Sequence, residues 1–381
     1  MHPDLDPSTL ALIVVWGALI LGLVLGVVAQ ASRFCVRGAI ADWVAFRGPA
    51  RLVSWLLAVA VGAVCVQALV SGQLLDAGRT IYWSERFPWL SYGVGGVLFG
   101  YGMILAGGCP QRCLVKAGQG SLKAAITLVV VAIAALMTLR GAFAPLRVHG
   151  LDAFALTLTG SQDLGGVLGQ ALGLSANGIR WAVAAVGAAT VFMFAWRLRS
   201  RLEPAHWVGG IAVGALVGAA FFLTGTIGFV PEHPETLEAA WLGTQSKRPE
   251  GLSFSAPMGH ALDLLTLWSD KATVATFGVM VSLGVVLGAF ASAKARGEFR
   301  LESFRTPREL LEHVGGGLLM GFGGVTALGC SVGNGVTGLA MLSTGSMLAV
   351  LGISAGAWLA LAQQMRAAER AERATAAPAR A

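Results

Sequence analysis

Charged residues are scarce in this chain. Of its 381 residues only 12% are Asp, Glu, Lys or Arg, whereas ordinary globular domains carry roughly 25%. Apolar residues make up 55%, and the mean hydropathy is +0.71. Apolar runs of about 17–25 residues, long enough to cross a bilayer, recur along the whole length. The composition therefore excludes a soluble protein and predicts an all-α polytopic membrane protein embedded in a lipid bilayer.

The chain also lacks the cysteine and histidine spacings of metal sites. Its five cysteines form neither a CxxC pair nor a disulfide framework: Cys35, Cys65, Cys109, Cys113 and Cys330. The six histidines lie without ligand spacing. No nucleotide-binding motif is present either. We therefore predict no metal and no cofactor.

No basic segment precedes the first apolar run. The residues before it include Asp4 and Asp6 and no Lys or Arg. A secretory signal peptide begins with a positively charged segment. The sequence thus predicts a retained first span rather than a cleaved signal.

The net charge of +7 invites a nucleic-acid interpretation, which we reject. The positive residues lie in short loops between apolar runs, as the positive-inside rule expects. Arg33, Arg37, Arg47 and Arg51 follow the first run, so that loop is predicted to be cytoplasmic and the N-terminus outside. The arginines of the tail place the C-terminus in the cytoplasm.

The hydropathy pattern predicts about nine membrane spans plus short half-helices. Two weaker segments, 154–160 and 165–174, are predicted to be short or interfacial helices. The predicted spans are 9–31, 52–70, 91–107, 121–139, 181–196, 207–230, 271–291, 313–328 and 341–362. The longest polar stretch, 231–270, is acidic and is assigned to the outer side.

One glycine and cysteine motif occurs twice. The segment from Gly95 to Cys109 aligns without a gap with that from Gly316 to Cys330, and about half of the positions are identical. Self-similarity at a large period indicates a duplication. The predicted spans give the two copies opposite topology, which predicts pseudo-two-fold inverted repeats with a substrate site between them.

These predictions divide the chain into four parts. Residues 1–140 form the first repeat half, and 141–206 are connecting short helices and a span. Residues 207–362 form the second half, and 363–381 are a cytoplasmic tail.

The two motif ends are the strongest candidate site. Glycines such as Gly108 and Gly329 let a helix stop at membrane depth, which is tolerated only beside a cavity. The backbone amides that follow, near Ser331 and Asn334, could bind an anion at the start of a short helix. Alternatively, the glycines serve only helix packing and the thiols are small buried apolar groups.

Two further cysteines lie beside cations. Cys35 is flanked by Arg33 and Arg37, and nearby cations can lower the pKa of a thiol or hold an anion. The alternative is a pair of positive-inside arginines next to an incidental cysteine. Cys113 and Arg112 follow Cys109 closely. A disulfide between Cys109 and Cys113 is possible by spacing, but it is not predicted.

At these residues the chain resembles the YeeE/YedE family of bacterial membrane proteins. The resemblance rests on three blocks, which cover residues 33–39, 108–121 and 329–335. It implies inner-membrane uptake of thiosulfate along a path lined by Cys35, Cys109 and Cys330. It also implies a cytosolic sulfur-carrier partner of the TusA type. The additional Cys113 and Arg112, and the long loop 231–270, depart from the pattern and leave another sulfur or selenium oxyanion open.

A dianion cannot enter an apolar interior without donors that replace its water. We expect backbone amides to hold the oxygens and the thiols of Cys109 and Cys330 to donate to the terminal sulfur. Cys35 would then release the anion inside. The rival interpretation is an enzyme, a membrane thiol–disulfide or persulfide relay in which Cys109 and Cys113 turn over covalently.

Overall fold

The computed structural model describes residues 6–234, 236–271 and 273–376. Asp4 and the last five residues of the predicted tail, 377–381, lie outside the described residues. Within the described part, thirteen helices carry the fold: α1 Pro7–Ala31, α2 Val36–Phe46, α3 Ala50–Ser71, α4 Trp89–Leu105, α5 Pro110–Gly118, α6 Leu122–Arg140, α7 Leu164–Leu172, α8 Ala176–Arg197, α9 Pro204–Phe222, α10 Ala256–Thr266, α11 Phe277–Ala295, α12 Pro307–Thr326 and α13 Thr344–Ala376.

Four two-residue strands form two small antiparallel sheets. Strand β1 (Arg86–Phe87) pairs with β2 (Leu156–Thr157), and β3 (Phe229–Val230) pairs with β4 (Ala240–Trp241). The helix predicted for 154–160 is therefore wrong, because the segment supplies β2 and loop. The segment predicted at 165–174 is the short helix α7.

Proline and capping residues set where several helices begin. Proline stands in the first turn of α1, α5, α9 and α12, where its missing N–H has no intrahelical partner to lose. The Thr306 side chain accepts a hydrogen bond from the Glu309 amide at the start of α12, at 3.2 Å. The first four predicted spans match α1, α3, α4 and α6 closely, whereas later spans deviate more: the last was predicted to end at 362, and α13 continues to Ala376.

Eight helical segments of the described part are long and apolar enough to cross a membrane. This confirms the all-α polytopic class. The predicted span that is not among the eight is 313–328, which corresponds to α12; this helix carries Arg308, Glu309 and Glu312 near its start. The first of the eight runs from Pro7 to Phe46, so α1 and α2 count there as one segment.

The duplicated glycines lie where α4 crosses α12. A methyl group on Gly95 would stand 2.8 Å from the Gly323 oxygen, and one on Gly323 would stand 2.6 Å from the Gly95 oxygen. Gly102 and Gly316 approach each other in the same reciprocal way, at 2.7 and 2.6 Å. In the alignment of the two motifs, Gly95 corresponds to Gly316 and Gly102 corresponds to Gly323. Gly95 therefore contacts the counterpart of Gly102, and Gly102 contacts the counterpart of Gly95. Reciprocal contact of this kind is the signature of an isologous interface.

The outer edges of the two motifs repeat this relation. Gly96 and Gly100 of α4 pack against the α13 backbone at Ala349 and Ile353. The aligned Gly317 and Gly321 of α12 pack against α6 near Thr127 and Val131. Small residues allow such close backbone approach between membrane helices.

Other helices also pack in pairs between the N-terminal and C-terminal parts of the chain. Helix α1 packs against α11 and α3 packs against α9, while α2 contacts α13 and α10 contacts α6. Helices α7 and α8 stand apart from this scheme. Helix α8 packs on α3, and much of its surface is exposed apolar side chain, such as Val186, Phe192 and Trp196.

Glycine at position 100 is required by the α4–α13 contact. A Cβ there would overlap the Ile353 carbonyl oxygen, whereas a Cβ on Gly93 of the same helix meets nothing within 4 Å. We expect Gly100→Ala to destabilise the protein by about 1–3 kcal/mol through overpacking. Thermal unfolding of the purified protein in detergent measures this.

The matched control is Gly93→Ala, which should leave the melting temperature unchanged or raise it slightly, because alanine favours a helix. Equal melting temperatures for both variants would contradict the close approach of α4 and α13.

Candidate functional site

Three of the predicted cysteines come together in the core. Cys109 and Cys330 have no exposed surface, and Cys35 is buried at 8% exposure. The Cys109 thiol lies near enough to Cys35, Cys330 and Ser331 for electrostatic interaction. The structure thus assembles residues that are widely separated in sequence. Cys65, by contrast, lies partly exposed on α3 against α9.

The sulfur of Cys330 is held by backbone amides. It accepts hydrogen bonds from the amides of Phe254 and Gly333, each at 3.3 Å. Cys35 stands at the N-cap of α2, where its sulfur accepts from the Gly38 amide at 3.3 Å. A thiol that accepts such bonds through its lone pairs keeps its S–H available as a donor.

The structure corrects the prediction that the backbone amides following Cys330 in sequence bind an anion, because two of them are already hydrogen-bonded. The Gly333 amide is bonded to the Cys330 sulfur, and the Asn334 amide is bonded to the Cys330 oxygen at 2.8 Å. The short helical segment Gly333–Gly338 therefore pairs these donors internally. It fixes the thiol and does not offer those two amides to a ligand.

Asn334 closes the turn at the end of α12. Its Nδ2 donates to the carbonyl oxygens of Ala327 and Gly329, both at 2.9 Å, and its Oδ1 accepts from Ser346 at 3.0 Å. Carbonyls at the end of a helix have no intrahelical donor. Asn334 supplies that donor in the buried interior.

Cys113 donates a hydrogen bond to a backbone carbonyl group in the turn at the end of α4, as Asn334 does at the end of α12. Its thiol donates to the Gly108 oxygen at 3.6 Å, and the Lys116 Nζ donates to the Gly107 oxygen at 2.9 Å. In the gapless alignment of the two motifs, Cys113 corresponds to Asn334 and Gly108 to Gly329. Cys113 is therefore placed as a donor that closes the turn, a role that spacing alone did not reveal.

The predicted arginines lie close to this cluster. Cys113 is within electrostatic range of Arg37, Arg112, Lys116 and Cys35. Arg37 Nε and Arg112 Nη1 are buried and have no hydrogen-bond partner among the described residues. Each of these arginines therefore has unused donor capacity beside the cysteines.

Several buried polar side chains near the motifs also lack partners, and sequence reasoning missed most of them. Gln111, at 1% exposure, has both its amide nitrogen and its oxygen unpaired within the described structure. The hydroxyls of Ser255, Thr326 and Ser331 are likewise buried and make no hydrogen bond of standard geometry. Unpaired buried donors are rare in folded proteins and indicate a functional role or a bound molecule.

A cavity of about 390 Å³ opens on one side of the cysteine cluster. We call it the Glu250 cavity; its polar lining includes Tyr82, Arg140, Glu250, Ser253 and His260. Ser253 precedes Phe254, whose amide bonds to the Cys330 sulfur, and Leu328 lines the cavity next to the Gly329 turn. The cavity therefore ends one residue layer from Cys330.

A second cavity of about 280 Å³ is lined almost wholly by polar residues. We call it the Arg112 cavity. Its lining comprises Gln30, Arg33, Arg112, Lys116, Gln119, Ser121, Glu298, Arg300 and Glu302. Four cations against two carboxylates make this cavity suited to an anion.

The described cysteines form neither a metal-type cluster nor a disulfide. Among the described residues, no cluster of three or more His, Cys, Asp or Glu could hold a metal ion. All five cysteines are free thiols. The disulfide that spacing left possible between Cys109 and Cys113 is not formed.

The comparison with known families is decisive for the class of protein. A family model described as "Sulphur transport" matches residues 31–359. The match covers all three cysteine blocks and both copies of the glycine motif.

Two similar proteins carry the same name, thiosulfate transporter TsuA. The one from Escherichia coli (strain K12) is 29% identical over 367 residues, which are 93% of this chain and 96% of that protein. The one from Spirochaeta thermophila is 27% identical over 357 residues, which are 90% of this chain and 97% of that protein. The similarity therefore extends over nearly the full length of both relatives.

The turn-closing donors can be separated from the cluster thiols by substitution. We expect Asn334→Ala to cost about 1–3 kcal/mol for each carbonyl left unpaired. Cys113→Ala should cost less, because a thiol is a weak donor. Thermal unfolding of the purified variants ranks the two effects.

Cys113→Ser retains a hydroxyl donor at the same place and is the control for turn closure. It should keep both stability and transport near those of the wild type. A folded Cys113→Ser protein that has lost transport would instead place Cys113 on the substrate path.

Proposed function

Since this chain belongs to the sulphur-transport family of YeeE/YedE membrane transporters, we propose that the sulfur-containing anion it carries is thiosulfate. The named relatives support this substrate. The observation that carries the proposal is the convergence of Cys35, Cys109 and Cys330 between two cavities. Membership of a transporter family confirms the prediction of a transporter and favours it over the relay enzyme.

In the proposed path, the anion enters the Glu250 cavity, passes the cysteine cluster and leaves through the Arg112 cavity. Thiosulfate is a dianion, and its removal from water requires fixed donors. The unpaired side chains of Gln111 and Thr326 supply donors for its oxygens, and the Ser331 hydroxyl lies beside the Cys109 thiol. The amides of Gly333 and Asn334 are already paired, so these side chains replace them in the mechanism.

The thiols serve the soft terminal sulfur of the anion. Cys330 and Cys35 each accept amide bonds through sulfur, which orients the S–H outward from those amides. A protonated thiol can donate a weak hydrogen bond without adding negative charge to the path. Gly108 and Gly329 allow the close turns that bring Cys109 and Cys330 to the cluster.

We infer that the fold is a pair of inverted repeats, α1–α6 and α9–α13, with α7 and α8 between them. The reciprocal glycine contacts of α4 and α12 support this inference. A second support is that α6 and α13 begin in the same way, with a backbone hydrogen bond to a distant loop. The Leu122 amide donates to the Glu302 carbonyl oxygen at 2.8 Å, and the Thr344 amide donates to the Gln162 carbonyl oxygen at 3.0 Å. The predicted divisions 1–140 and 207–362 stay part of this proposal.

The proposed location is the bacterial inner membrane, with the Arg112 cavity and the C-terminus in the cytoplasm and the N-terminus outside. The positive-inside rule supports this orientation, because Arg33, Arg112 and Arg300 all line that cavity. A cytosolic sulfur carrier of the TusA type is the proposed receiver of the anion there.

Orientation is tested with reporter fusions after Arg47, in the loop between α2 and α3, and after Gln73, in the loop that follows α3. We expect an enzyme that is active only in the cytoplasm to work at the first position, and one that is active only outside to work at the second. The reverse pattern would invert the proposed direction of the path.

The cysteine path is tested by uptake of sulfur-labelled thiosulfate into proteoliposomes. Cys35→Ala, Cys109→Ala and Cys330→Ala remove the thiol donor and should each lower uptake about tenfold or more, since loss of one net hydrogen bond of about 1.4 kcal/mol corresponds to a factor of ten. Cys65→Ala, outside the cluster, is the matched control and should transport normally.

Thermal unfolding of each variant separates loss of the path from loss of the fold. Normal uptake in all three cluster variants would contradict the path. No uptake by wild-type protein in competent vesicles would point to another sulfur or selenium oxyanion.

A further inference from the structure

The proposed transport path assigns no role to Glu250, the carboxyl group on the wall of the Glu250 cavity. Its Oε1 accepts hydrogen bonds from the Ser246 amide at 2.8 Å and from the Ser246 hydroxyl at 2.7 Å. Its backbone exchanges two hydrogen bonds with the Thr224 hydroxyl, at 2.8 and 3.1 Å. The carboxyl group is therefore held in a fixed position on the cavity wall.

The other charges around the cavity leave Glu250 uncompensated. Arg140 of α6 is paired with Asp263 of α10 at 3.1 Å. His260 of α10 and Tyr82 line the same cavity, and Cys330 lies beyond its floor. Lys247 and Arg248 are exposed in the Glu250 loop and do not line the cavity.

An ionised carboxylate on this wall opposes the entry of a dianion. Coulomb repulsion is strong at short range where little water screens it. Protonation removes the repulsion and leaves a carboxylic acid that can donate a hydrogen bond. Burial already favours the neutral form, because desolvation raises the pKa of Glu250 above its ordinary value.

His260 is not an equivalent candidate. Desolvation lowers its pKa, and its Nδ1 is buried without a partner among the described residues. The imidazole is thus held neutral on the same wall, where it can donate to an anion without a change of charge.

We propose that Glu250 is a proton-binding site coupled to the anion, so that a dianion occupies the Glu250 cavity together with one proton on this carboxyl group. The proposal rests on the proposed function, since it takes a sulfur oxyanion as the ligand of the cavity. The dianion then approaches the cysteine cluster from a cavity in which the Glu250 carboxyl group is protonated and uncharged.

The coupling fixes the direction of the pH dependence. Binding of the anion and of the proton is reciprocal, so each raises the affinity for the other. Affinity for the anion is full at low pH, where Glu250 is already neutral. It falls as pH rises above the pKa of free Glu250, by up to about tenfold per pH unit for one linked proton.

Isothermal titration of the purified protein with thiosulfate tests this between about pH 6 and 8.5. Repeating each titration in buffers of different ionisation enthalpy counts the protons taken up. We expect wild-type protein to take up as much as one proton per anion. Glu250→Gln should take up none and bind with the same affinity across the range.

Three further variants complete the design. The Glu250→Gln side chain retains the oxygen that accepts the Ser246 hydrogen bonds. Glu250→Asp retains a titratable carboxyl group and should preserve proton uptake, so it tests the proposal if Glu250→Gln fails to fold. Glu232→Gln is the control, because Glu232 is exposed in the same outer loop. It should behave as the wild type. His260→Gln should keep the proton uptake of the wild type.

The outcomes separate this proposal from the function beneath it. Thiosulfate binding without proton uptake, or proton uptake that persists in Glu250→Gln, overturns the coupling and leaves thiosulfate as the substrate. A wild-type protein that binds no thiosulfate at any pH contradicts the proposed substrate and the coupling together.

Discussion

Two helices that end inside the protein leave backbone carbonyl groups that water cannot reach, and the site is arranged around pairing them. Helix α4 stops at Leu105 and α12 stops at Thr326, each ahead of a buried cysteine. An unpaired buried carbonyl is costly, so each turn needs a donor from a neighbouring side chain. Asn334 provides it in one half, and Cys113 with Lys116 provides it in the other. The turns so closed hold Cys109 and Cys330 in place.

The sequence was sufficient for the long apolar helices and for the motif, because both depend on local patterns. Apolar runs located the spans, and the gapless repeat located Cys109 and Cys330. The role of Cys113 depends on a hydrogen bond to Gly108, which residue spacing does not encode. Gln111 and Thr326 could have been found only by noting that a polar side chain beside a buried turn must have a partner. Glu250 lay within an acidic loop, and nothing in its neighbours distinguished it from Glu232 or Glu238.

The two cavities differ in the charged side chains that line them. The Glu250 cavity has one carboxyl group that no cation offsets when it is ionised, because its arginine is paired with Asp263. The Arg112 cavity carries two more cations than anions in its lining. In the proposed path, an anion that moves from the first cavity to the second reaches a more favourable potential. The polarity of that proposed path comes from side chains that the two cavities do not share.

The duplicated turns are alike in shape but not in chemistry. The donor in the second turn is an amide, which neither titrates nor reacts under ordinary conditions. The donors in the first turn are a thiol and an ammonium group, which can be oxidised, alkylated or deprotonated. Oxidants and thiol reagents that reach Cys113 therefore act on one half of the molecule and leave the other half's turn intact. Chemical modification of a turn-closing donor is therefore confined to the first turn.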